Sequence, residues 1–345
     1  MTVLYITSDR PASGKTALTS ALAAQLSRSG KRVGYFKPFS PAPHEDPDPA
    51  FISRSVLSSG DAEQPTPLTM PEGIREGQPL PEDMSRELRL SLDRLTSAKE
   101  VVLVEGPSLF TPQGDALPLS AMLADLLDTR ALLIMYYRPD LNAERVLEAC
   151  EPFGQRLLGV LINSVTRYRE RDVRLNLGHA IEARGVKFLG AIPEDRLMLA
   201  VTVGQIAQHL DGQWVIGRER SEELVENFLI GGNIMDWGIT YFGRMENKAV
   251  IIRGDRPDIQ LAALSTPTTC LVLTGGHQPI QYVYYQAEQQ GVPLLVVRTD
   301  TISTAHALDN VLKRSTFHHP RKLERFQELL REHADLAAIE PDLKN

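Results

Sequence analysis

Val3-Leu4-Tyr5-Ile6-Thr7-Ser8-Asp9-Arg10-Pro11-Ala12-Ser13-Gly14-Lys15-Thr16 decides the fold of this chain. Four apolar residues in a row read as a short buried strand. A turn rich in Ser, Asp and Pro follows, then a helix over residues 15–29. Leu18, Leu22 and Leu26 share one face of it, and Gly30 is a natural stop. The bend between strand and helix ends in Ser13-Gly14-Lys15-Thr16, as a phosphate loop does. Gly14 lets backbone approach an anion closely. The N–H groups opening the helix point at phosphates, helped by the helix dipole. Lys15 would reach the β and γ phosphates, and the Thr16 hydroxyl would ligate Mg²⁺. The leading glycine of the pattern should be residue 9, which is Asp9. An ordinary strand-to-helix turn is the alternative, and the placement after a strand and before a clean helix selects nucleotide binding.

Outward from that bend, strands and helices alternate. Residues 33–36 read as a strand. Residues 38–81 break the rhythm: ten of the 23 prolines fall there, so the stretch is not one long helix but a functional loop with short helices or partly disordered. Helices are expected over 87–98, 117–127, 143–153 and 172–184. Strands are expected over 101–104, 132–136, 157–163 and 186–189. Such alternation means parallel pairing through right-handed crossovers, hence a doubly wound, mostly parallel α/β domain over residues 1–200. A smaller α/β domain over 201–320 reads as βαβαβα, with strands at 249–252, 270–273 and 294–297. Residues 321–345 read as a final amphipathic helix, over 322–330, and a tail.

Several polar residues fall where the sheet's carboxyl edge would lie. Glu105 ends an apolar strand and is placed to bind Mg²⁺ directly or through water; a solvated turn glutamate is the alternative. Lys37, after the second strand, can contact a transferred phosphate or an acidic substrate, or be a surface lysine. Asp46 and Asp48 open the proline-rich stretch, and either is a further metal-ligand candidate. Asn163 ends another buried strand and can meet a purine edge, or form a turn. In the second domain Asp255 and Arg256 end one strand, Thr274-Gly275-Gly276 the next, and Asp300 the third. These six suggest a crevice for a small anionic metabolite or nucleotide, with glycine N–H groups facing it and Arg256 forking onto it. The alternative is a structural Asp255–Arg256 network with a tight glycine turn. His318-His319 precedes a proline with no zinc spacing and reads as surface.

Composition narrows the partners. The 345 residues carry 37 basic and 44 acidic side chains, a net charge of −7. No basic surplus exists to neutralise a nucleic-acid backbone, so a nucleic-acid-borne ATPase is disfavoured. The two cysteines, Cys150 and Cys270, lie in separate apolar runs without metal or redox spacing. No apolar stretch approaches the roughly 20 residues that cross a bilayer, and the N-terminus has no leader-like run, so a cytoplasmic protein is expected.

Ser13-Gly14-Lys15-Thr16, Gly34-Tyr35-Phe36-Lys37-Pro38, Val104-Glu105-Gly106, Gly159-Val160-Leu161-Ile162-Asn163 and Gly190-Ala191-Ile192-Pro193-Glu194 together resemble the dethiobiotin-synthetase-like P-loop family, whose branch includes cobyrinate amide synthases. Asp46-Pro47-Asp48-Pro49-Ala50-Phe51 is similar to that family's Asp-x-Asp-Ala-x-Phe segment, where an aspartate assists the metal. Gly254-Asp255-Arg256, Leu273-Thr274-Gly275-Gly276 and Asp300-Thr301 resemble the DRTGG domain. The pairing is similar to the N-terminal, non-catalytic half of long-form phosphate acetyltransferases. It implies ATP or a related nucleotide with Mg²⁺ and no acetyltransferase catalytic domain in the chain; by their positions Lys15 and Lys37 are the catalytic candidates. A regulatory module is expected, acting on an acyl-phosphate enzyme as partner and forming homo-oligomers. The alternative is an ATP- and Mg²⁺-dependent amide- or ureido-forming ligase. The turn after Glu105, Gly106-Pro107-Ser108-Leu109-Phe110, is bulkier than the glycine-rich turn of the synthetases, which favours the first reading.

Overall fold

The computed structural model describes residues 2–57, 65–71, 73, 78–111, 114–232, 235–339 and 341, with the side chains of residues 235–237 and 313 outside the description. The chain divides into two compact units. Met1–Glu194 with Phe317–Asn345 makes the first, and Asp195–Thr316 the second.

The first unit is built on six parallel strands in the order β2-β5-β1-β6-β7-β8. These are β1 (Thr2–Ser8), β2 (Val33–Phe36), β5 (Val101–Glu105), β6 (Arg130–Tyr136), β7 (Leu157–Val165) and β8 (Phe188–Pro193). Val101-Val102-Leu103-Val104 is buried throughout, as a central parallel strand covered on both faces must be. Two-residue strands, β3 (Phe39–Ser40) and β4 (Leu68–Thr69), pair beside this sheet. Helix Glu82–Ala98 lays Leu88, Leu92 and Leu95 against one sheet face at the spacing its sequence carries. Three neighbouring strand ends, those of β5, β1 and β6, bring residues 105, 8 and 136 to one edge. That edge positions the site.

Two local features differ from the expectation. The proline-rich stretch holds a regular helix, Pro47–Ser55. Asp46 caps it by accepting from Asp48 N at 3.0 Å, and Pro47 occupies the first turn, where its missing N–H costs nothing. Residues 58–64, 72 and 74–77 of that stretch lie outside the described residues. The helix expected over 172–184 is broken into short pieces with a π turn at Val173–Leu177.

The last helix, Pro320–His333, belongs to the first unit. It buries Leu323, Phe326, Leu329 and Leu330 and packs on helix Lys15–Arg28 and on β8. Its end crosses β8 so closely that a Cβ at Gly190 would lie 2.1 Å from His333 O.

The second unit carries five strands where three are legible: β10 (Gln213–Ile216), β12 (Asn227–Gly231), β13 (Lys248–Arg253), β14 (Thr268–Thr274) and β15 (Leu294–Val296), in the order β10-β15-β14-β13-β12. All pairs are parallel except the antiparallel β10 with β15. A two-residue pair, β9 (Val201–Thr202) with β11 (Leu224–Val225), lies beside it. Two apolar clusters, around Val250 and Leu271 and around Ile251 and Val272, cover opposite faces of the sheet.

Candidate functional site

The phosphate loop is preorganised without its opening glycine. The Asp9 carboxylate, buried in the loop, accepts from Ser13 Oγ at 2.8 Å and from Tyr136 N at 3.1 Å. A side chain thus pins the bend that glycine freedom usually permits. Gly14 sits at φ 103° and leads into helix Lys15–Arg28, whose N-terminus no side chain caps. An uncapped helix start beside a glycine bend is an anion site. A Cβ at Gly14 would lie 2.5 Å from Asn163 Nδ2. Asn163 donates through that nitrogen to Ser13 O at 2.9 Å. Sequence reasoning offered Asn163 a purine edge or a turn; in the structure its amide nitrogen holds the loop.

Lys15 Nζ donates to Ser8 Oγ at 2.8 Å, inside the bend. Burial pushes its ammonium below the usual lysine range, with Glu105 opposing the shift. Thr16 Oγ1 donates to Glu105 Oε1 at 2.8 Å and lies 3.3 Å from Asp48 Oδ2. Tyr35, buried on β2, donates its hydroxyl to the other Glu105 oxygen at 3.0 Å. Glu105 is pushed up to about 7, first by burial and then by the Asp48 charge. Burial also works against Asp48, but hydrogen bonds from His318 and Lys37 and their charges outweigh it and hold this carboxyl at about 2.

Lys37 lies between acids rather than open to a substrate. Its Nζ is 2.6 Å from Asp46 Oδ2 and also pairs with Asp48 Oδ2. Burial opposes its charge, and Glu105, Asp48 and Asp46 raise it above the usual lysine range nevertheless. The structure therefore brings together Ser13, Gly14, Lys15, Thr16, Lys37, Asp46, Asp48, Glu105 and Asn163.

The donor set fits Mg²⁺, which takes oxygen ligands and is held by one or two carboxylates plus substrate phosphates. Thr16, Asp48 and Glu105 supply a hydroxyl and two carboxylates at one point beside the loop. Among the described residues no three His, Cys, Asp or Glu side chains gather as a self-sufficient metal centre. Phosphate oxygens would have to complete this one.

Sequence reasoning missed four members. Asp9 stood out only as the departure from the leading glycine, Ser8 read as part of the turn, and Tyr35 read as a strand residue. Nothing in their spacing signals a shared site. His318 was read as surface, yet its Nε2 lies 2.6 Å from Asp48 Oδ1. The two residues are 270 positions apart, and no local spacing could join them.

The six second-unit candidates do meet at the carboxyl edge of β13, β14 and β15, but each is already engaged. Asp255 pairs with Arg253, and the Arg256 fork with Asp258 at 3.0 and 2.8 Å, so an Asp255–Arg256 network does not form. Gly275 N and Gly276 N donate to Thr299 O and Val297 O, so these amides do not face an anion. Thr274 Oγ1 meets Thr301 Oγ1 at 2.8 Å. Asp300 caps helix Thr301–Val311 by accepting from Ile302 N and Ser303 N.

Comparison with known proteins finds relatives for both parts of the chain. Residues 205–311 match the DRTGG domain and residues 2–201 an AAA domain. The chain is 25% identical to a phosphate acetyltransferase of Pseudomonas putida, over 94% of this chain and 49% of that protein. It is 24% identical to the ATP-dependent dethiobiotin synthetase BioD of Bacillus subtilis, over 55% of this chain and 86% of that enzyme. Among solved structures, the CBS and DRTGG domains of the regulatory region of Clostridium perfringens pyrophosphatase, complexed with diadenosine tetraphosphate, match at 14% identity and a TM-score of 0.31, over 52% of this chain and 74% of that one. The chain spans about half the length of the phosphate acetyltransferases it matches. No helix among the described residues is long and apolar enough to cross a membrane. With a phosphate loop on a six-stranded parallel sheet and a second α/β unit after it, the chain belongs to the AAA domain family, in a P-loop form joined to a DRTGG domain.

Proposed function

We propose that the first unit binds ATP with Mg²⁺ and that the chain works as a nucleotide-dependent regulatory module. One observation carries this reading. Thr16, Asp48 and Glu105 converge beside a buried Lys15 at an uncapped helix start. Lys37 and His318 already partner Asp48, while burial and the Asp48 charge push Glu105 up to about 7; a polyphosphate-bound Mg²⁺ would give both carboxylates a role beside Thr16. Lys15 would neutralise the β and γ phosphates, and Asn163 would keep the loop open to them.

The second unit acts by assembly in this proposal. The six candidate residues at its carboxyl edge are engaged within the unit, while Ile280, Tyr282, Tyr285 and Ile302 are exposed on the two helices that follow β14 and β15. Tyrosines and isoleucines left in water suit contact with a second copy better than capture of a small anion. An acyl-phosphate enzyme is the partner class we favour, from the relatives matched, and the cytoplasm its place of action.

The test is equilibrium binding of ATP with and without Mg²⁺. The unaltered chain should bind, and Lys15→Ala should weaken binding at least about 100-fold, as loss of a buried charge-assisted contact does. Equal affinity in Lys15→Ala would remove the loop from the site. Ligation is the second reading, favoured by Lys37 lying beside the carboxylate pair. ATP turnover stimulated by a diamine or dicarboxylate would select it.

A further inference from the structure

Asp48 is held from two sides. Its Oδ2 takes Lys37 and lies 3.3 Å from Thr16 Oγ1, so this oxygen faces the hydroxyl that Glu105 also holds. Its Oδ1 is turned to His318 Nε2 at 2.6 Å. A carboxylate with its outer oxygen bound cannot rotate its inner oxygen away at little cost, which is how outer hydrogen bonds orient metal-binding groups.

The histidine itself is fixed. Phe51, one turn along the helix from Asp48, meets the His318 ring edge-on at 5.4 Å. Phe317 packs edge-on against Phe51 at 5.8 Å and against Phe326 at 6.1 Å. Phe326 is a buried residue of helix Pro320–His333, which lies on the helix that starts at Lys15. Residues 317 and 318 are therefore clamped between the Asp48 helix and the last helix of the same unit. The clamp leaves the ring facing the carboxylate.

We propose that His318 is a positioning residue of the phosphate site: it fixes the Asp48 carboxylate so that Oδ2 stays beside Thr16 and Glu105 when a metal–nucleotide complex binds. This rests on the nucleotide reading above. The hydrogen bond of His318 is to Asp48, on the oxygen turned away from Thr16, so in this proposal its effect passes through Asp48. It should therefore matter when a divalent cation is present and be silent when ATP binds without one. A histidine that only tied down the last helix would matter equally in both cases.

The experiment uses the full chain and Mn²⁺ as a paramagnetic stand-in for Mg²⁺. Mn²⁺ binding in the presence of ATP is read by electron paramagnetic resonance, and ATP binding in a chelator by calorimetry. Three variants are compared. His318→Gln keeps an N–H near the Nε2 position. His318→Asn keeps polarity but falls short of Asp48. His318→Phe keeps the aromatic packing and loses the donor. Mn²⁺ affinity should fall about 10-fold or more in His318→Phe and His318→Asn, the usual effect of removing an outer partner. It should stay within about 3-fold in His318→Gln, and ATP affinity in chelator should be unchanged in all three. If His318→Phe or His318→Asn does not fold, the contrast of the other with His318→Gln still decides; if His318→Gln does not fold, a loss in the other two that appears only with metal present decides. Unchanged Mn²⁺ affinity in His318→Asn, or equal losses with and without metal, would overturn the proposal. Failure of the unaltered chain to bind ATP at all would instead overturn the nucleotide reading on which it rests.

Discussion

A carboxyl group without water keeps its proton to higher pH than one at the surface. Glu105 is in that position, held near 7 against an ordinary 4.5 by burial and by the charge of Asp48. Between those values the native chain binds more protons than the unfolded chain. The Glu105 contribution to stability therefore falls as pH rises through that window. Asp48 works the other way. Lowered from 3.8 to about 2, it contributes stability that is present above 3.8 and lost as pH falls toward 2. The urea midpoint of the unliganded chain should accordingly drop between about pH 4.5 and about pH 7, and Glu105→Gln should flatten the drop. A drop of the same size in Glu105→Gln would assign it to other groups. Binding of Mg²⁺ and ATP needs the ionised carboxylate, so near neutrality it should release protons. Calorimetry in two buffers of different ionisation enthalpy measures that release; equal heats would mean Glu105 was already ionised.

At the level of elements, helix Pro320–His333 ends in close backbone contact with β8. Gly190 sits there at φ 135°, with His333 O where a Cβ would go and Ala334 bridged to it. Gly190→Ala should cost on the order of 3 kcal/mol, from backbone strain and forced separation together. Gly185, at φ 83° with nothing within 4 Å, is the control. There only the left-handed backbone penalty applies, about 1 kcal/mol. Similar urea midpoints for both alanine variants would mean that the helix end yields without cost. Local elements such as these were mostly legible. The first strand, the helix from Lys15 and the Val101-Val102-Leu103-Val104 strand announce themselves by buried runs and four-residue spacing. The Ser13–Thr16 bend and Glu105 announce the site by their place at strand ends. What escaped reading depends on partner choice. The strands at 213–216 and 227–231 are short and flanked by polar residues, and they become strands only because the second sheet has edges to extend. The amphipathic pattern of 322–330 forecasts a helix but not which surface it covers, so neither its return to the first unit nor the His318 contact is written in it.

Across the whole molecule, the first unit is discontinuous in sequence. The AAA match ends at residue 201, while the compact unit also takes Phe317–Asn345. Helix Pro320–His333 buries Leu323, Phe326, Leu329 and Leu330, four side chains at roughly 1.5–3 kcal/mol each on full burial. That is an upper estimate of about 6–12 kcal/mol, comparable with the roughly 5–15 kcal/mol that holds a whole domain together. A chain cut after residue 200 has the complete phosphate loop, Asp48 and Glu105, yet leaves the outer face of helix Lys15–Arg28 and the edge of β8 uncovered. It should unfold at far lower urea than the full chain, or aggregate. A chain in which a flexible linker joins Glu194 to Phe317 restores both the apolar cover and the His318–Asp48 contact. It should unfold in one cooperative step and bind Mg²⁺ with ATP. Circular dichroism against urea, read alongside nucleotide binding, separates the two. A piece ending at residue 200 that folds as stably as the linked chain would mean the last helix decorates the unit instead of completing it.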